Sequence, residues 1–144
     1  MLLLWLGIAA AAGVLMAVQG SINGSLGRII GTWEGSFMVH AVGLLLIAAL
    51  VFIFGVGQGG LAKIKEVPWY LYLGGIINVI IILGVMLSIG QIGAAKATTA
   101  IICGQLAMAL IVESFGLFDL QQASFTWTKG LGLLLMGIAA KLLL

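Results

Sequence analysis

Apolar residues along this chain fall into long unbroken runs separated by short polar or glycine-rich breaks. Five runs are visible: about Leu2 to Leu26, Trp33 to Phe54, Trp69 to Ile89, Ala95 to Val112 and Thr126 to Leu143. A membrane helix needs roughly 20 mostly apolar residues, since each adds about 1.5 Å and the hydrocarbon layer is about 30 Å thick. Within hydrocarbon the backbone must satisfy its own hydrogen bonds, so runs of this length are helices. No ten-residue stretch alternates with period two, which argues against a membrane barrel. The pattern predicts an all-α integral membrane protein, five transmembrane helices in a single domain over residues 1–144.

Aromatic and turn residues sharpen these boundaries. Trp5, Trp33, Trp69 with Tyr70 and Tyr72, and Trp127 stand near the starts of four runs. Such rings prefer the interface, where one side is apolar and the other wet. Pro68 precedes the third run, where its missing N–H costs nothing. The connector from Gly55 to Val67, with Gly57, Gly59, Gly60, Lys63, Lys65 and Glu66, reads as a short wet loop. A second long connector, Glu113 to Thr128, carries Asp119, Gln121 and Gln122. The first run has no Lys or Arg ahead of it and exceeds the length of a signal-peptide core, so it reads as a span.

Composition agrees and excludes alternatives. Hydrophobic residues make up 63% of the 144 and charged residues 7%, with a mean hydropathy of +1.32. A water-soluble globule of this size has no interior large enough for that apolar surface. One cysteine rules out a disulfide framework, and a net charge of +2 gives no footprint for nucleic acid. Cys103 lies between Ile102 and Gly104, away in sequence from any acid or His that would activate a thiol. There is no nucleophile–base pair, metal-spaced cluster or phosphate loop, so the sequence does not read as an enzyme, and it calls for no cofactor and no metal.

Charge bears on orientation. Lys and Arg in short loops stay cytoplasmic. With five spans, Lys63, Lys65 and Lys129 share one side, while Arg28, Lys96 and Lys141 share the other. The score is three against three. One reading is dual topology, in which copies insert both ways and pair antiparallel. The other is an accidental tie broken by a different cue. The chain contains no internal repeat, yet many transporters rest on two inverted copies of one helical unit with the site near the midplane. An antiparallel homodimer would supply ten helices with that symmetry.

Packing and solute-facing positions follow from spacing. Gly13, Ala17, Gly20, Gly24, Gly27 and Gly31 form one small-residue face, suited either to packing within a subunit or to the dimer contact. Gln19 and Asn23 lie beside it, one helical turn apart. Gln19 is nine residues from Arg28, roughly 13 Å from that end. His40 stands seven residues past Trp33, about 10 Å from the same side. In the fourth run Thr98 and Gln105 share a face. Polar side chains at such depth avoid lipid. Gln19, Asn23, Gln105 and Thr98 therefore read as a substrate-binding cluster for a small-molecule solute, with His40 beside them as either a structural residue or a proton carrier. Asn78, mid-span in the third run, suits an interhelical bridge. No carboxylate lies at mid-membrane, so no coupling ion is named. Glu113 either faces a pore mouth or ties down the loop after the fourth run.

The run Gln19-Gly20-Ser21-Ile22-Asn23-Gly24-Ser25-Leu26-Gly27 resembles the first-helix signature of the YdcZ-like small membrane proteins of the drug/metabolite transporter superfamily. Trp69 with Gly74-Gly75, Gly93-Ala94-Ala95, Gly104-Gln105, Ile111-Val112-Glu113-Ser114-Phe115-Gly116 and the helix from Gly130 to Gly137 extend the resemblance over essentially the whole chain. The resemblance implies a multi-pass protein of the bacterial inner membrane, working as an antiparallel homodimer or as a heterodimer with a sister chain. It also implies that Glu113 closes the fourth helix. The first-helix glutamate of the four-helix multidrug relatives is replaced here by Gln19, which argues against their mode of cation efflux. The expected function is a dimeric secondary transporter working by alternating access, with a small ion channel or a non-transporting partner subunit as alternatives.

Overall fold

The structure, a computed structural model, describes residues 1–119 and 122–144, without the side chain of residue 119. Gln121, named above in the last connector, lies outside the described residues. Five α-helices account for most of the chain: α1 Leu2–Ile30, α2 Thr32–Ala48, α3 Leu73–Ile92, α4 Ala94–Phe115 and α5 Trp127–Leu143. A π-helical turn, Ala49–Ile53, prolongs α2, and 3₁₀ turns occupy Gly60–Glu66 and Trp69–Tyr72. Among the described residues, four helices are long and apolar enough to cross a membrane: Leu2–Ile30, Thr32–Ile53, Trp69–Ile92 and Ala94–Phe115. The fifth, α5, has 17 residues, about 25 Å at 1.5 Å per residue.

Two of the four connectors shrink to one glycine. Gly31 turns the chain from α1 to α2 at φ 99°, and Gly93 separates α3 from α4 at φ 83°. Residues with a Cβ rarely adopt these angles, so glycine permits a corner without a loop. The connector from Gly55 onward is wetter and longer, and the Tyr72 hydroxyl donates to the Ile64 carbonyl at 2.6 Å to pin it.

The chain forms two compact units, residues 1–91 and 92–144. In the first, three helices meet through complementary stripes. Ile82, Met86 and Ile89 on α3 are buried, four and three residues apart and hence on one face. Opposite them Gly20, Asn23 and Gly24 of α1 are buried, as are Gly35 and Ser36 of α2. The side chain of Ile89 fills the space above Gly20 and Gly24, and the Met86 methyl lies between Gly27 and Gly35. A Cβ at Gly13 would meet nothing within 4 Å. Close backbone approach of this kind is how membrane helices gain van der Waals contact where lipid is as apolar as the side chains.

In the second unit α4 packs on α5, with Ala97 and Ala140 buried. Gly116, left-handed at φ 59°, ends α4. The Glu113 carbonyl accepts from Gly116 N at 3.3 Å and Ala123 N at 3.0 Å. The Gln122 amide donates to the Ser114 carbonyl at 2.9 Å. Thr126 caps α5 by accepting from Lys129 N at 3.3 Å, the usual role of a hydroxyl at that position. Lys129 Nζ donates to Glu113 Oε2 at 3.3 Å.

Candidate solute site

Within the first unit the polar side chains divide between the helix seam and the outer surface. Asn23 is buried on the glycine face of α1, at 5% exposure. Gln19, a turn earlier, is exposed. His40 is half-buried on α2. Its ring makes two contacts that together define its tautomer. Nδ1 lies 2.7 Å from the Ser36 carbonyl oxygen. A carbonyl only accepts, so Nδ1 carries the proton and donates. Nε2 is left as an acceptor, and the Asn78 amide of α3 donates to it at 3.1 Å. Ser36 Oγ stands 3.5 Å from Nδ1 as a weaker neighbour. The imidazole thus bridges α2 and α3.

Sequence spacing does not foretell this meeting, because His40 and Asn78 are 38 residues apart. It required the corner at Gly31 and the length of the connector after Phe54 to bring the two helices together. The other polar group that sequence reasoning left aside is Arg28, which entered only as a charge near a membrane surface. In the structure it lines a cleft with Thr32 and Gln91 at the ends of three helices.

Within the second unit Thr98 is half-buried and Gln105 exposed. The neighbouring hydroxyls serve their own helices: Thr99 donates to Ala95 at 2.9 Å and Ser114 to Leu110 at 2.6 Å, as hydroxyls in membrane helices commonly do. An apolar cavity of about 370 Å³, lined by Ala107, Leu110, Ile111, Phe115, Phe125 and Leu133 among others, opens between α4 and α5.

Among the described residues these features define a class: long apolar helices that carry amides at mid-helix, a histidine held between two helices, and one ion pair at a helix end. The described residues bring together no group of three or more metal-ligating side chains. The chain belongs to the family described as "Putative inner membrane exporter, YdcZ", whose model matches residues 4–142. It is accordingly an inner-membrane transporter of the drug/metabolite transporter superfamily, and that family is not one of enzymes. No curated protein and no solved structure matches the chain.

Proposed function

We propose that the protein is a secondary transporter that exports a small solute by alternating access, as an antiparallel dimer of five-span chains with the solute site at the subunit interface. The carrying observation is the exposure of Gln19 and Gln105, each near mid-length of a long apolar helix. An amide uncovered in hydrocarbon costs several kcal/mol, on the order of 2–7, so such groups need a partner chain or a wet chamber. Gln19, Asn23 and His40 in the first unit and Thr98 and Gln105 in the second are the residues proposed to meet solute. The α5 helix is proposed as the fifth span, since 17 residues is near the lower limit of about 17–25 for crossing. Gly13, whose surroundings are open, is proposed for the contact between subunits. The even split of Lys and Arg supports insertion in both directions.

Saturable uptake into inverted vesicles, or saturable transport in liposomes, lost in Gln105→Leu with folding and amount unchanged, tests the reading. Conductance well above carrier rates would instead support a channel, and unchanged transport in Gln105→Leu would remove the proposed site.

A further inference from the structure

A cleft of about 180 Å³ opens where the C-terminal turns of α1 and α3 meet the start of α2, lined by Gly24, Gly27, Arg28, Thr32, Gly90 and Gln91 among others. Met86 and Leu87 of α3 complete the lining, and its glycines let the backbones of α1 and α3 approach closely beneath it. The Arg28 stem crosses α3, its Cγ lying 4.0 Å from where a Cβ would stand on Gly90. Of the five N–H groups of the guanidinium, one is engaged, by Ser25 Oγ at 3.3 Å. The nearest acid in sequence, Glu34, makes no ion pair with it; Lys129–Glu113 is the ion pair found among the described residues. Thr32 and Gln91 add neutral donors to the same opening.

Depth says what such a cleft meets. The 29 residues of α1 extend about 43 Å at 1.5 Å per residue, well beyond a hydrocarbon layer of about 30 Å. Arg28 stands two residues from the end of α1, and Trp33, an interfacial residue type, is the second residue of the next helix. The cleft therefore opens at the level of lipid headgroups and adjoining water. A guanidinium with free donors, a hydroxyl and an amide around one small opening match the oxygens of a phosphate. We propose that this cleft binds an anionic phosphate group, with Arg28 as its charge partner and Thr32 and Gln91 as neutral donors. The phosphate comes either from an anionic lipid headgroup or from a free solute, and the two sources share this chemistry. The site stands independently of the transport reading.

The test uses the purified full chain. In nanodiscs of phosphatidylglycerol and phosphatidylcholine, native mass spectrometry counts retained phosphatidylglycerol. In neutral detergent, inorganic phosphate is titrated in a thermal-shift assay. Retention of phosphatidylglycerol that falls about tenfold in Arg28→Gln, the loss of one charge-assisted contact, identifies a lipid site. A phosphate-dependent rise in melting temperature that Arg28→Gln abolishes, without lipid retention, identifies a solute site. Lys141→Gln removes the same charge elsewhere and should change neither signal. If Arg28→Gln does not fold, Gln91→Leu, at an exposed position with no charge change, takes its place and should weaken either signal several-fold. Equal losses in Arg28→Gln and Lys141→Gln, unchanged signals in Gln91→Leu, or no retention and no shift in the unaltered protein would overturn the proposal.

Discussion

Substituting Gly24 by alanine adds one methyl at the tightest contact between α1 and α3. The new Cβ would stand 2.8 Å from Ile89 Cγ2, 3.2 Å from Ile89 Cβ and 3.8 Å from the Gly90 nitrogen. Ile89 is β-branched and buried at 6% exposure, so its Cβ moves only if the helix moves. Overpacking of this kind costs about 1–3 kcal/mol. Alanine itself gains up to about 1 kcal/mol over glycine in a helix interior. At Gly7, also on α1, the same substitution meets nothing within 4 Å, so only the gain remains. The two variants should therefore differ by about 2 kcal/mol, Gly24→Ala below the parent and Gly7→Ala at or above it. Equilibrium unfolding in mixed micelles, supported by melting temperatures in one detergent, reads the difference. Adding Ile89→Ala should relieve Gly24→Ala, and the double-mutant cycle should return a coupling of about 1 kcal/mol or more. Equal stabilities for Gly24→Ala and Gly7→Ala, or no coupling to Ile89, would refute the seam described between α1 and α3.

Other outcomes follow from single contacts. In ¹⁵N spectra of labelled histidine, His40 should carry its proton on Nδ1. Asn78→Leu should shift the Nε2 resonance while leaving the tautomer in place, because the Ser36 carbonyl still holds Nδ1, and should cost about 1 kcal/mol of interhelical stability. Gly31→Ala forces a side chain into φ 99° and should lower stability by roughly 1–3 kcal/mol, read as a drop in melting temperature. Glu113→Gln should cost only about 0.2–1 kcal/mol, because the Lys129 pair is solvent-exposed. High salt should shrink that difference in the same melting assay.

Much of the fold is legible because hydrocarbon imposes length and apolarity on each span. The centres of α2, α3 and α4 coincide with their apolar runs for that reason. The ends are less legible. A helix does not stop where its apolar run stops, so α1 continues from Leu26 to Ile30 across Gly27 and Arg28. Gly31 and Gly93 are corners, yet nothing in composition separates them from the other glycines of a chain that has 22. Only their backbone angles do. The third helix begins at Leu73 rather than Trp69, since Pro68 is followed by a tighter 3₁₀ turn. Among the polar residues, depth could be counted along each helix, but partnership could not. The bond of Asn78 to His40, and the convergence of Gln91 with Arg28 and Thr32, join positions far apart in sequence and depend on how three helices cross.

The most direct test of the antiparallel account is the orientation of the C-terminus in cells. Matched fusions to a reporter active only in the cytoplasm and to one active only outside should both give strong signals, and adding two lysines beside Lys63 and Lys65 should collapse them to one side. A signal from one reporter alone in the unmodified chain, expressed by itself, would contradict insertion in both directions and with it the antiparallel homodimer.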